Sequence, residues 1–537
     1  MSDRDPSPWR RATAPALAVF IASVFVSHVC YLLFFNGGWS YEFSHYAEIA
    51  RRFLATAELR TSTFWPAELA FFHHAGVSIE PDGPLLFRYP LYALWCAFWM
   101  ALAGVHDYGM VLANIVAFGV WSAAVYLAAR LLFGARSAAW TAALWLLMPA
   151  LQAGYVLGGF VDILFGAEMT ILIAAAVAIG RCPELQERKP LAGFGVVLGL
   201  TYLTRTNAAL WAPIFFALPF VWRWKFPRTL CLSMLGGFAV LVLPWTLYRW
   251  SVFGASAPGV LLWNMAEYTI VDGLPWMEYR LYTPWDFLDP VSLCAVLYKG
   301  WSLFNRFLSD WPGMWDLQLA MPFAVLGLYT QTGAPRRFAS LAGTLLLVEL
   351  AVMSFLRYQN LGFMGNHHYL WLAPWPLAFA ADFLVRRTDR TGYRILAALM
   401  LLLQLQFMGW SYLRTSPTVA AHPSGKPLPA WPEIAFMRDR IPPDSRVMTN
   451  APATITWYGG RPSINIPNKL SDVPKITGRW RVDYLLFITH PIGEPQHYPE
   501  WTNALRGGLG RPDAVFKGLG FKLLRQSNSA VLFERSL

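Results

Sequence analysis

Apolar runs near membrane-spanning length recur from residue 15 to residue 412, separated by short polar connections. They fall at 15–35, 90–104, 108–129, 137–151, 162–180, 190–203, 207–222, 229–247, 313–332, 338–356, 369–385 and 393–412. A helix rises 1.5 Å per residue and needs about 20 apolar residues to cross a bilayer. The pattern therefore predicts a polytopic α-helical membrane protein. One run, PLYALWCAFWMALAG at 90–104, falls short of that length. After residue 412 the pattern changes. A Pro-rich stretch, HPSGKPLPAWPE, leads to strand-like runs RVMTN, SINIP, DYLLFITH and AVLFER with helical stretches between them. That alternation predicts a small α/β domain over 413–537.

Composition agrees with the pattern. Mean hydropathy is +0.38, and 14% of the 537 residues are charged, against about 25% in soluble domains. The 26 Trp and 22 Tyr suit interfacial belts. The first run follows Arg10 and Arg11 and lacks a small-residue cleavage pattern. It reads as an uncleaved span rather than a signal peptide, with a twin-arginine signal the weaker alternative. The five cysteines, Cys30, Cys96, Cys182, Cys231 and Cys294, are scattered, which argues against a disulfide framework or a zinc site.

Charge placement fixes the expected topology. If 90–104 does not cross, then Arg4, Arg10, Arg11, Arg130, Arg136, Arg181, Arg188, Lys189, Arg223, Lys225, Arg228, Arg336, Arg337, Arg386, Arg387, Arg390 and Arg394 all face the cytoplasm. The short outer connections then hold only Arg205 and Arg357. Crossing at 90–104 would invert every later loop. The expectation is eleven spans within 1–412, with 90–104 in the outer interface and long outer loops at 36–107 and 248–312. The tail then lies outside. The net charge of +11 is largely this inside bias and calls for no nucleic acid.

The stretch YEFSHYAEIARRF, 41–53, follows the first span directly. Ser40 can cap a helix beginning at Tyr41. Glu42, Tyr46, Ile49 and Phe53 then share one face, and Glu48 and Arg52 pair at i,i+4 on another. The spacing predicts an amphipathic helix in the outer interface. Glu42 sits in its first turn, where an acid also simply complements the helix dipole.

This stretch resembles the D-E-x-x-Y-A-x-x-A-R motif of GT-C membrane glycosyltransferases, a group that includes the protein O-mannosyltransferases and the lipid A aminoarabinose transferases. Glu42 takes the place of the catalytic acid. Glu replaces the usual Asp, and Phe43 replaces the second acid. Leu86-Phe87-Arg88-Tyr89-Pro90-Leu91 resembles the K-P-P-L element that precedes a membrane-surface helix. Asp162 in GGFVDILF takes the place of a second outer acid. Asn450-Ala-Pro452 with Trp457-Tyr-Gly-Gly-Arg461-Pro462 resembles the N-x-P…W-Y-x-G-R-P signature of outer domains in bacterial members.

The resemblance implies a GT-C fold and an inverting glycosyltransferase of the bacterial cytoplasmic (inner) membrane. It implies a polyprenyl-phosphate-linked sugar as donor and a lipid, glycan or protein hydroxyl as acceptor on the outer face. Glu42 and Asp162 are the expected catalytic residues. Arg88, His45, Tyr46, Arg205, Arg357, His367 and His368 are the expected substrate-binding residues, because a departing phosphate needs cationic or hydrogen-bonding partners. No cofactor is assigned, and a divalent cation is left open, with the metal ligands unknown. His73-His74 lacks further ligands nearby in sequence, and Glu168 lies within a span, where an ionisable group is functional by default. The alternatives are a polytopic transporter or lipid flippase, which would place polar sites at mid-membrane, an O-antigen ligase or polymerase, and a non-catalytic scaffold for the tail.

Overall fold

The computed structural model describes residues 10–35, 41–80, 82–148, 150–182, 185–224, 227–254, 275–310, 320–356, 365–386, 441–489, 498–507, 512–527 and 530–536, with single residues between some of these stretches. The helices are α1 (Arg10–Phe34), α2 (Tyr41–Thr56), α3 (Pro66–Ala75), α4 (Pro90–Ala103), α5 (Asp107–Phe133), α6 (Ala135–Leu146), α7 (Asp162–Arg181), α8 (Arg188–Thr204), α9 (Ala208–Val221) and α10 (Pro227–Phe253). They continue with α11 (Pro290–Asp310), α12 (Met321–Tyr329), α13 (Gly333–Leu356) and α14 (Pro374–Val385). Among the described residues five are long and apolar enough to cross a membrane: α1 from Thr13, α5, α7, α10, and α13 as far as Phe355. The expected span 393–412 lies mostly outside the described residues.

Helix α4 begins where Pro90 fits the first helical turn, behind the extended Tyr89, and has 14 residues. At 1.5 Å per residue that is about 21 Å, short of a bilayer's hydrocarbon core. The expected span 137–151 divides into α6 and a π-helical turn, Ala150–Val156. Part of the expected outer loop 248–312 is the 21-residue helix α11.

The tail and the first long loop share one sheet. Its order is β2-β5-β4-β6-β8-β7, with β4 (Val447–Thr449), β5 (Ser463–Asn465), β6 (Tyr484–Ile488), β7 (Phe521–Gln526) and β8 (Ala530–Arg535) from the tail. The edge strand β2 is Thr63–Phe64 from the first loop, parallel to β5 with Thr63 opposite Ser463. A second two-stranded pairing, Arg60–Thr61 with Gly83–Pro84, folds the loop back on itself. The cores follow the same logic. One large apolar cluster joins α2, α4, α5, α7 and α8. Another joins Phe64, Leu69 and Phe72 of the first loop to Met448, Ile464, Leu485 and Phe533 of the tail and to Phe253, Met277 and Phe287 of the second loop.

Helix α2 differs from its expected setting. Phe43 through Ala50 are all buried, so over these two turns no polar face meets water. One side packs on α4 and the other meets the tail helix α15, Pro452–Gly459. The expected cap, Ser40, lies outside the described residues.

Candidate active site

Glu42 and Arg88 meet at the start of α2. Arg88 Nη1 lies 3.3 Å from Glu42 Oε1, with side chains 18% and 19% exposed. The Arg88 guanidinium stands over two tyrosine rings, 5.4 Å from Tyr41 and 5.1 Å from Tyr46. Tyr46 lies five residues past Tyr41 and four past Glu42 along one helix, so α2 delivers acid and aromatic cradle together. The extended Tyr89 and the Pro90 start of α4 hold Arg88 opposite them. Burial pushes the Tyr46 hydroxyl up to about 12, so it remains a hydrogen-bond donor at neutral pH.

His45 joins this pair through Arg88. It is 1% exposed. Arg88 Nε donates to His45 Nδ1 at 3.3 Å, and His45 Nε2 lies 3.2 Å from Thr61 Oγ1. Burial, then the positive charge of Arg88, hold the imidazole well below its usual pKa. A neutral ring accepting at Nδ1 carries its proton on Nε2, aimed at Thr61. Thr61 in turn donates to Glu48 Oε2 at 2.9 Å. Glu48 is fully buried and also accepts from Ser62 N–H at 3.1 Å and Arg52 Nε at 2.6 Å. The expected Glu48–Arg52 pair is thus present as a framework contact. Arg52 continues to Asp82, which Arg60 reaches at 2.9 Å.

Glu68 was not anticipated. It is 2% exposed in the first turn of α3 and accepts from Trp65 N–H at 2.9 Å. Burial pushes its carboxyl up to about 8, against the pull of the Trp65 main chain and of Arg88. Only an acid two residues past a helix-starting proline announced it. His73 and His74 are exposed in the last turn of α3, with His73 Nδ1 3.4 Å from the Tyr279 hydroxyl.

Asp162 opens α7 and pairs with Arg205, which follows α8. The pair is nearly buried, at 1% and 10% side-chain exposure. Asp162 and Arg205, both expected in the site, therefore engage one another. Tyr46 feels the charge of Arg205 as well as that of Arg88 and Glu42. Beside Arg205, Thr204 donates to Glu168 at 2.9 Å. Asn207 Nδ2 and Trp371 Nε1 donate to the two oxygens of Glu349 at 3.2 and 3.0 Å. Glu349 is fully buried and was missed, although a lone acid in the run LLLVELAV is itself a signal.

Phe43 explains one departure from the motif. It is fully buried, and a Cβ added at the left-handed Gly159 (φ +69°) would fall 2.5 Å from its ring. A carboxylate at position 43 would enter apolar packing at a cost of several kcal/mol. Arg357 lies outside the described residues. Of His367 and His368 only the backbone is described, in the 3-10 stretch Gly365–Leu372. Among the described residues no three His, Cys, Asp or Glu side chains gather where a metal ion would sit.

The tail meets the start of α5 through two of its signature residues. Trp457 Nε1 and the Tyr458 hydroxyl donate to the two oxygens of Asp107, at 2.8 and 3.0 Å. Asn450 closes a two-way bond with the main chain of Ile488, 2.8 Å each way. Arg461 is buried and donates to the carbonyls of Ile441, Gly459 and Arg438. The left-handed Gly460 (φ +67°) turns the chain so that it can.

With a helical membrane domain and a small mixed-sheet domain, the chain has the GT-C fold. Residues 82–248 match the family model described as dolichyl-phosphate-mannose-protein mannosyltransferase. Among solved structures, the chain is similar to ArnT from Cupriavidus metallidurans bound to undecaprenyl phosphate. That match has a TM-score of 0.56 and 15% identity, over 98% of this chain and 98% of that one. It is also similar to the oligosaccharyltransferase of Archaeoglobus fulgidus in complex with Zn and sulfate, at a TM-score of 0.50 and 12% identity, over 96% of this chain and 73% of that one. No curated protein matches it.

Proposed function

We propose that the protein is an inverting glycosyltransferase that takes a sugar from a polyprenyl-phosphate donor. The observation that carries this reading is the Glu42–Arg88 pair, a carboxylate and a guanidinium 3.3 Å apart in one partly open site. The family model and the lipid-phosphate-bound ArnT structure support the donor class. The acceptor hydroxyl attacks the anomeric carbon as the carbon–oxygen bond to phosphate breaks. Glu42 takes the hydroxyl proton as general base, and the phosphate leaves with the bonding pair. A phosphate anion needs no general acid. It needs donors, and Arg88 supplies a rigid fork of N–H groups. Arg205, held by Asp162, adds positive charge near Tyr46. Asp162 positions Arg205 and borders the acceptor. His45 orients Arg88. The tail domain serves folding or acceptor binding. Charge placement supports a site and tail on the outer face of a bacterial cytoplasmic membrane.

The test incubates membranes containing the protein with a panel of radiolabelled polyprenyl-phosphate sugars and follows the label. Transfer from one of them to a membrane or protein fraction, lost in membranes carrying Glu42→Gln at matched protein level, is the expected result. Wild-type transfer by that variant would refute the assignment.

A further inference from the structure

Helix α11 lies in a segment whose sequence reads as an aqueous loop, yet its two faces are both apolar. The inner face holds Val296, Lys299, Gly300, Leu303 and Phe307, all buried. A Cβ at Gly300 would fall 2.5 Å from the Phe355 ring, so α11 lies flush against the end of α13. The Phe307 and Tyr369 rings stand 5.0 Å apart within the large core cluster of the membrane helices. The opposite face exposes Val291 (78%), Tyr298 (74%) and Trp301 (64%), with Cys294 between them. That spacing, i, i+3, i+7 and i+10, is one helical stripe. Leu297 widens it, and Trp285 (76%) and Leu288 (62%) lengthen it. The one charge between Asp289 and Arg306 is Lys299, and it points inward at 5% exposure.

Soluble proteins rarely expose so continuous an apolar surface. The occupant follows from what lies alongside. Helix α13 is long and apolar enough to cross the membrane and leaves Leu347 (62%) and Phe355 (38%) open. Because α11 packs flush along it, the open side of α11 continues that lipid-facing surface. Trp285, Tyr298 and Trp301 are the aromatic types that bilayer interfaces favour. The end of α13 concerned is the site's end, since Glu349 bonds Asn207 and Asn207 is two residues from Arg205. We propose that the Val291–Trp301 face of α11 is immersed in the acyl chains of the leaflet bordering the Glu42 site. The membrane segment then begins near residue 285 rather than at 313. The partner is bulk bilayer lipid.

The native Cys294 tests this without a disruptive mutation. Cys30 and Cys96 are buried, so replacing Cys182 and Cys231 by Ser leaves one reactive thiol. The full chain is labelled there with a nitroxide and reconstituted in phosphatidylglycerol–phosphatidylethanolamine vesicles. Spin relaxation is read with oxygen, which concentrates in acyl chains, and with a water-soluble nickel complex. Lys522→Cys, on the exposed β7, supplies the aqueous reference. The expected oxygen-to-nickel ratio at Cys294 is several-fold above the reference. A ratio equal to the reference places α11 in water and overturns the proposal. Failure of the glycosyltransferase reading would leave this result untouched.

Discussion

Arg51 holds the carbonyls of Thr456 and Trp457, at 2.9 and 3.0 Å, and lies 4.8 Å above the Trp457 ring. Three contacts thus fasten α2, which carries Glu42, to the tail helix α15. The β2–β5 pairing and the Thr63–Thr456 hydroxyl bond, at 3.0 Å, fasten the same two segments a few residues on. The tail is therefore part of what fixes the position of Glu42.

Removing that clamp has a defined cost. Hydrogen bonds from charged donors contribute about 1.5–3 kcal/mol each, and the partial exposure of Arg51 favours the low end. Arg51→Ala should loosen the α2–tail junction by about 2–3 kcal/mol on that estimate. Hydrogen exchange in 43–50 and 452–459 should accelerate together, while exchange in α5 stays unchanged. Acceleration of only one segment would show that the two open independently.

Arg461 should behave differently. Its guanidinium serves the carbonyls of Ile441, Gly459 and Arg438, all within the tail. Arg461→Ala leaves those buried carbonyls without their donor, about 1–3 kcal/mol for an unsatisfied group. The thermal midpoint should fall, yet the turnover per folded molecule should persist. Intact folding with no turnover would move catalysis toward the tail.

Glu68 gives a pH signature. Its carboxyl titrates near 8 in the fold and near 4.3 in an unfolded chain. Between those values the folded state holds a proton that the unfolded state has released, so stability falls as pH rises through the window. Tyr41, Trp65 and Arg88 face it. Glu68→Gln cannot ionise and should lack this loss. The wild-type midpoint minus the variant midpoint should decrease from pH 5 to pH 8 and then level off. A difference independent of pH would show that Glu68 is ionised throughout.

Much of this architecture was legible because it is local. The Tyr41 start of α2, the Glu48–Arg52 pair, the Asp162 start of α7 and strands at 447–449, 463–465, 484–488 and 530–535 each follow from spacing over a few residues. What escaped depends on partners far along the chain. Thr63–Phe64 has no strand pattern of its own and becomes a strand only because β5 offers it an edge. Strand β7, FKLLRQ, alternates too weakly to stand out. The face of α2 that reads as polar is polar because Glu48 and Arg52 serve buried partners on Thr61, Ser62 and Asp82, not because water lies there. Of the candidate site, Glu42, Arg88, His45 and Tyr46 lie together, and Asp162 lies with Arg205. That the last two pair with each other is a tertiary fact that spacing does not encode.

Topology is open to direct measurement. Arginine placement predicts that reporters fused after residues 185, 225 and 389 read cytoplasm and that one fused after 430 reads the opposite side. A cytoplasmic reading at 430 would shift the span count by one and move Glu42 with it.

Glu42 carries the sharpest prediction. General-base catalysis contributes typically 10²–10⁴-fold. Glu42→Gln preserves size and removes charge, so transfer should slow by at least ~10² on that basis. Donor affinity should change little, since the base acts on the acceptor. Glu42→Asp should retain partial activity, because Asp is the usual residue of the motif that Glu42 resembles. Arg88→Ala should do the reverse and weaken donor binding, with loss of the His45 contact as well. Arg88→Lys separates the two duties: it keeps a charge for the phosphate but cannot span Glu42 and His45 with one planar fork. It should bind donor better than the alanine variant and still turn over slowly. Rates and donor affinities of all four variants, at matched membrane levels, decide the matter. Equal donor affinity in Arg88→Ala and wild type would remove Arg88 from the phosphate site.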